Sequence, residues 1–356
     1  MTIAAEADDL LALTAALVDV PSVSHDEAQL ADDVAEWLDA HAPQLELQRI
    51  GNTVVARSHL DRERRIVLGG HLDTVPPNDN AAARVDGEVC HGLGSADMKG
   101  GLATLLALAA ELDAPVHDVT FLFYDCEEVE ERFNGLRSLF ADHAPLVAGD
   151  LAILLEPTDG WVEAGCQGTI HVRAGFDGER AHSARPWMGE NAIHRAAETL
   201  AHLADHEADT VTVDGLEFRE SLQVVGIEGG IAHNVVPDRC TIVVNRRFAP
   251  KYTLEEAESQ VRELLVGADD VEVVNASPAA PPNLAAPFVS EFVDGLGLDV
   301  RPKLGWTDVA RFAAHGIPAL NFGPGDPAIA HTAGEHVSRA SVETVHDALR
   351  QFLDPE

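Results

Sequence analysis

The acids and histidines of this sequence that could do chemistry gather in five short blocks, each beside an apolar run. The first is Gly69-Gly70-His71-Leu72-Asp73-Thr74-Val75-Pro76, after the run ending at Leu68. His71 and Asp73 are two apart, so on extended backbone they point the same way. An imidazole whose other nitrogen is held by a carboxylate is a good metal ligand; a loop histidine beside an N-capping aspartate fits the same residues equally well. The second block, Gly92-Leu93-Gly94-Ser95-Ala96-Asp97-Met98-Lys99-Gly100-Gly101, opens a long apolar helix. Glycines let backbone approach a ligand, and a helix N-terminus favours an anion. Asp97 is there either a plain N-cap or part of a crowded site, and the glycines around it favour the site.

The third block, Tyr124-Asp125-Cys126-Glu127-Glu128, directly follows the apolar run from Val119 to Phe123. Adjacent acids at a strand mouth are costly unless solvated or neutralised by cations. Neighbouring side chains diverge, so one glutamate can bind a metal while the other faces a reacting water. Glu130 and Glu131 read instead as solvated loop. Glu156, in Leu154-Leu155-Glu156-Pro157-Thr158, closes another buried run, and Ala330-His331-Thr332-Ala333-Gly334-Glu335-His336 follows the last one. Any one block has a structural explanation. Five of them at corresponding ends of consecutive elements point to a site holding more than one metal ion.

The elements that must position these blocks show in the hydrophobic pattern. Leu10 to Ala40 is helical, broken at Pro21-Ser22, with a capping box predicted over Ser24 to Glu27. Strands are expected over 52–58, 65–69, 119–124 and 151–155, with helices over 101–112 and around 139–143. This alternation predicts an α/β fold whose central sheet is mostly parallel and flanked by helices. The pattern changes after Gly165. Strand 168–177, helix 192–203, strands 222–228 and 240–248, helix 254–265 and strand 270–275 have the order of an α+β sandwich. Residues 278–287, rich in Pro and Ala, read as a return linker, and 319–322 as a short core strand. The expected division is 1–167 with 278–356 for the larger domain and 168–277 for an inserted one.

The bulk numbers agree. At 356 residues the chain is long enough for a large and a small domain, and 46% hydrophobic with 24% charged residues is a globular composition. Aromatics are only 5%, so aliphatic residues must fill the core. The formal charge of -36 repels phosphate backbones and excludes nucleic acid as an expected partner. That acidity fits a salt-rich cytoplasm or a GC-rich genome equally. No apolar run approaches the roughly 20 residues that span a bilayer, and Met1 to Asp9 has no Lys or Arg, unlike a signal peptide. Cys90, Cys126, Cys166 and Cys240 lack CxxC spacing and read as reduced thiols, so a cytoplasmic protein is expected.

In order and spacing, the HLDTVP, GSADMKGG, CEE, LEP and AHT blocks resemble the co-catalytic zinc amidohydrolases and peptidases. That family includes aminoacylases, acetylornithine deacetylase and glutamate-releasing carboxypeptidases, and the resemblance covers nearly the whole chain. It implies a zinc-peptidase-like catalytic domain with an inserted lid and dimerisation domain. It implies two zinc ions per chain, one on His71 and Glu156 and one on Glu128 and His331, with Asp97 bridging them, although cobalt or manganese suits such ligands too. Asp73 would orient His71, and Glu127 would be the general base. Three carboxylate ligands against two dications leave a positive centre that acidifies water. His182, in Arg180-Ala181-His182-Ser183-Ala184-Arg185-Pro186, reads by itself as a surface-loop histidine. By resemblance it reaches the partner subunit's site in a homodimer and stabilises the oxyanion. Asn234, Arg247 and Thr307 match or lie near substrate-carboxylate contacts.

Within the family, Gly165 to Thr169, Lys303 to Phe312 and Asn321 to Pro327 look most like the actinobacterial members that release succinate from N-succinyl-LL-2,6-diaminopimelate. The small-molecule substrate expected is therefore an acyl amino acid of that kind. N-acetylornithine, or acyl amino acids in general, are the alternatives within the enzyme class. A non-catalytic metal- or peptide-binding relative is the alternative outside it.

Overall fold

A computed structural model describes Ile3 and residues 9–355. The rest of the acidic N-terminal stretch, including most of the segment read as unlike a signal peptide, lies outside the described residues. The chain divides into two compact units, Met1–Ala164 with Asn283–Arg301 and Arg311–Glu356, and Gly165–Pro282 with Pro302–Ala310. The segment 302–310, which the sequence pattern assigns to the larger domain, clusters with the smaller unit.

The first unit is built on an eight-stranded sheet. Its order is Glu46–Ile50, Thr53–Arg57, Asp118–Tyr124, Arg65–His71, Leu151–Leu154, Ala319–Asn321, Val162–Ala164, Val300–Pro302. The four strands from Asp118–Tyr124 to Ala319–Asn321 run parallel, while Thr53–Arg57 and Val162–Ala164 join them antiparallel. Strand Asp118–Tyr124 is buried along its whole length and is mostly apolar, with Val119, Phe121, Leu122 and Phe123, as a strand covered on both faces should be. Because these strands are parallel, their C-terminal ends fall on one edge of the sheet, where open α/β sheets hold ligands.

Helix Gly100–Glu111 is apolar all round, and every residue from Gly100 to Ala109 is buried. Such a helix belongs inside a core. Gly101 makes its close approach possible: a Cβ there would lie 2.5 Å from the Leu155 carbonyl oxygen. The tight contact fixes the start of the helix, just after Asp97, against the strand end that carries Glu156.

Two local expectations are corrected. The second helix is Ala28–His41, and its N-cap residue Glu27 makes no side-chain capping bond. Ser24 and Glu27 therefore form no capping box; the Ser24 hydroxyl donates to Asp73 Oδ2 at 2.8 Å instead. A three-stranded sheet of Arg84–Asp86, Val89–His91 and His336–Ser338 has no counterpart in the sequence reading, because such short strands leave almost no periodic signal.

The second unit holds a four-stranded antiparallel sheet in the order Ser221–Gly229, Arg239–Phe248, Gly168–Asp177, Asp270–Ser277. The alternating Ile170, Val172, Ala174 and Phe176 face one side with Ile242 and Val244. Ala192, Ala196 and Leu203 of helix Ala192–Ala204 and Ala257 and Val261 of helix Leu254–Leu264 complete that core. Asn191 caps the first helix, and Thr253 with Glu256 forms a capping box on the second. The hairpin Thr210–Val213/Leu216–Arg219 is an addition to the predicted element order.

Candidate metal centre

Strand Arg65–His71 ends at a fully buried histidine, and the chain stays beside the next strand for one more residue, where Leu72 N–H donates to the Tyr124 carbonyl at 2.7 Å. Thr74 N–H then donates to the Ser22 carbonyl at 2.9 Å, which brings Ser24 to Asp73. Cys126, with φ +57, turns the neighbouring strand end back on itself. As a result two successive N–H groups converge on one carboxylate. Glu127 N–H donates to Asp73 Oδ1 at 2.9 Å and Glu128 N–H to Oδ2 at 3.0 Å.

Asp73 thus has two tasks, of which the sequence suggests only one. Its main-chain carbonyl lies 2.9 Å from His71 Nδ1, whereas its carboxylate Oδ1 is 3.6 Å away. The carbonyl fixes the ring and turns Nε2 towards the cluster, and the carboxylate fastens the Glu127–Glu128 turn. Hydrogen bonds to a charged group contribute about 1.5–3 kcal/mol each. Asp73→Asn turns an amide N–H₂ toward backbone donors, so the variant is expected to melt several degrees lower and to lose most activity. An unchanged melting temperature in a thermal scan would show that the turn is held elsewhere.

Asp97 stands between two histidines. His71 Nε2 is 3.1 Å from its Oδ1, and His331 Nε2 is 3.5 Å from its Oδ2. His331 Nε2 is also 2.8 Å from Glu128 Oε1. Potential ligand atoms of His71, Asp97 and Glu156 all lie within 4.8 Å of one another, and so do those of Asp97, Glu128 and His331. Two donor groups therefore share a single carboxylate. Glu127 joins His71 and Glu128 in a third grouping at the same spacing.

The electrostatics of this cluster favour positive charge at its middle. Hydrogen bonds to Asp97 and Glu128 push the His331 imidazole up to about 10. Burial works against a charged ring at His71, yet Asp97, Asp73 and Glu156 outweigh it and raise its pKa well above the ordinary value. Burial would also raise Asp97, but the two imidazoles hold it well below the usual carboxylate range. Mixed imidazole and carboxylate donors gathered at this density suit divalent transition ions, zinc among them.

Glu335 supports the centre and was not singled out as a site residue from sequence. Its Oε1 accepts from Ala96 N–H at 3.1 Å and Asp97 N–H at 3.0 Å, which sets the main chain of the shared aspartate. The only sequence signal was its place four residues beyond His331.

The remaining candidates lie in the second unit. His182 is exposed, and its Nδ1 accepts from Ala184 N–H at 3.0 Å, leaving Nε2 outward. An antiparallel bridge to Val235 and the Ser183 N–H bond to the Asn234 carbonyl at 2.9 Å join its loop to the Asn234 loop. Asn234 lines an open concavity of about 630 Å³ with Gly229 to His233. Arg247 is half-buried opposite Thr169, and burial lowers its pKa while nearby Cys166 raises it. Thr307 is buried, and its carbonyl accepts from Cys166 Sγ at 3.8 Å. One side of the smaller unit thus gathers Arg247, Cys166 and Thr307.

Comparison with known proteins places this arrangement. A Corynebacterium glutamicum protein named succinyl-diaminopimelate desuccinylase is 42% identical over 354 residues, covering 97% of this chain and 96% of its own. A Mycobacterium tuberculosis protein named "Putative succinyl-diaminopimelate desuccinylase DapE" is 46% identical over 346 residues, covering 97% and 98%. A tripeptidase from Staphylococcus aureus shares the fold, with a TM-score of 0.79 at 21% identity over 99% of this chain and 98% of that one. The sequence profile of peptidase family M20/M25/M40 matches residues 67–354, and the chain belongs to that family.

Proposed function

We propose that the chain hydrolyses the amide of N-succinyl-LL-2,6-diaminopimelate to succinate and LL-2,6-diaminopimelate, a step of lysine and diaminopimelate biosynthesis. The observation that carries the chemistry is the division of Asp97 between two donor groups, Oδ1 toward His71 and Oδ2 toward His331. The observation that carries the substrate is the name borne by both full-length relatives.

In this reading His71, Glu156 and Asp97 hold one zinc ion, and Asp97, Glu128 and His331 the other. When bound, such a pair acidifies a water molecule and polarises the amide carbonyl. The chain's own residues do the rest. Glu127, held by its N–H bond to Asp73, takes a proton from the attacking water and delivers it to the departing amine nitrogen. The new C–O bond forms first as the carbonyl oxygen takes the negative charge; collapse of that oxyanion then breaks the C–N bond, and with both protons of the water ending on the amine the products are a carboxylate and an ammonium group. Arg247 offers a bidentate grip for a substrate carboxylate, with Asn234 and Thr307 as further contacts.

His182 stabilises the developing oxyanion in the site of a second copy of the chain. Support for a homodimer comes from the smaller unit. Its edge strand Ser221–Gly229 exposes Val225 and Ile227, and Ile231, Trp187 and Met188 are exposed in the same unit. Unpaired edges with exposed apolar residues seek a partner. His182→Ala is expected to cut kcat and leave metal content unchanged. Mixing it with Glu127→Gln should restore roughly a quarter of the wild-type rate, because each hybrid dimer has one complete site. Failure of two correctly folded variants to complement would remove the cross-subunit role.

Four free buried cysteines support a reducing, cytoplasmic location, and no helix among the described residues is long and apolar enough to cross a membrane. The substrate is tested by steady-state kinetics of the zinc-loaded protein on succinyl-diaminopimelate, acetylornithine and simple acyl amino acids. The expected result is the highest kcat/KM for the succinylated compound. A preference for acetylornithine would overturn the substrate and leave the metal chemistry standing.

A further inference from the structure

Behind the turn that carries Glu127 and Glu128 lies a second group of donors that the proposed reaction does not use. Cys126 Sγ is 3.3 Å from Glu27 Oε1 and 3.5 Å from His25 Nδ1. Potential ligand atoms of Glu27, Asp125 and Cys126 lie within 4.8 Å of one another. None of these residues belongs to the His71–Asp97–His331 cluster.

We propose that Cys126, His25, Glu27 and Asp125 form a separate site for one divalent ion of the zinc class. Two independent observations carry this. The first is spacing. Zinc bonds of about 2.3 Å to sulfur and about 2.0–2.2 Å to nitrogen or oxygen imply tetrahedral edges of about 3.5 Å. The sulfur–nitrogen and sulfur–oxygen separations already have that length. The second is charge. Glu27 is 0% exposed, and among the described residues no Lys, Arg or His side chain makes an ion pair with it. Its contacts are His25 N–H at 2.8 Å, the Cys126 thiol, and Asn52 Nδ2 at 3.5 Å. A buried carboxylate with no cation beside it is costly, and a bound dication supplies the missing charge.

The surroundings suit such an ion. Thr53 Oγ1 donates to Asp125 Oδ1 at 2.6 Å, an outer bond of the kind that orients a ligating carboxylate. His25 is exposed, its ring set edge-on against Phe133 at 4.8 Å, and so offers a way in to the buried Cys126 and Glu27. Sulfur and imidazole donors select zinc-like ions over magnesium or calcium. On binding, the thiol loses its proton to solvent and sulfur bonds the ion; nothing is oxidised or reduced.

The probe is cobalt(II) alone, titrated into metal-free protein beyond the two equivalents that fill the His71–Asp97–His331 centre. That centre contains no sulfur, so a sulfur-to-cobalt charge-transfer band in the near ultraviolet reports only a thiolate site. The expected result is one further equivalent of cobalt bound with such a band, lost in Cys126→Ser and weakened at least about tenfold in affinity in His25→Ala. Absence of the band in the wild-type protein overturns the proposal, and so does its survival in Cys126→Ser. If Cys126→Ser fails to fold, the wild-type band and its weakening in His25→Ala decide. The readout is independent of activity, so failure of the proposed reaction at the main centre leaves it interpretable.

Discussion

Replacing Glu127 by Gln is expected to abolish turnover while the metal content stays unchanged. The isostere keeps the size of the side chain and leaves the backbone N–H bond to Asp73 untouched. It removes only the capacity to accept and return a proton. General acid–base catalysis contributes about 10²–10⁴-fold, and in the proposed reaction one residue serves both halves, so the rate should fall by at least about a thousandfold. Metal analysis by atomic emission separates the two roles open to this residue. Glu127 also stands within ligand distance of His71 and Glu128; were it a ligand, the variant would lose an equivalent of metal together with activity. Unchanged stoichiometry with lost turnover identifies the base. Near wild-type turnover would sink the mechanism.

How legible this centre was depended on the range of the interactions involved. His71, Glu128 and Glu156, which the structure brings together, stood out because each follows an apolar run at the end of a parallel strand, and the run itself is the signal. Asp97 announced itself through the glycines needed for close approach, and Gly101 does abut the Leu155 carbonyl. Ser24 was misread for an equally physical reason. Its spacing to Glu27 satisfies a local capping pattern, but the hydroxyl goes to Asp73, 49 residues away. A local pattern cannot reveal that a distant carboxylate competes for the same donor. Asp73 shows a subtler limit. The sequence carries the side chain that was expected to hold His71, whereas the atom nearest the ring belongs to the backbone. Likewise nothing in residues 302–310 signals that they pack with the smaller unit, since that depends on contacts such as Gln167 N–H to the Lys303 carbonyl at 3.3 Å.

Asp97→Ala tests the centre as a shared one. In the present arrangement the two carboxylate oxygens serve different partners, Oδ1 the buried His71 and Oδ2 the more exposed His331. Alanine removes both oxygens, so both donor groups lose a ligand atom at once. It also removes a negative charge from a cluster whose two imidazoles are both raised by that charge. Changes to groups that merely orient ligands cost about 10–100-fold in metal affinity or activity. Loss of a shared ligand should exceed that, with activity down at least about a hundredfold and both ions bound more weakly. Glu156→Gln and His331→Ala provide the comparison, because each touches one donor group. They are expected to weaken one ion while the other is retained, so that a chelator titration resolves a tight and a weak equivalent. In Asp97→Ala both equivalents move together. If instead Asp97→Ala shows one tight and one weak ion, as the single-group variants do, Asp97 serves one ion only and the bridged arrangement is wrong, even though both histidines lie beside it.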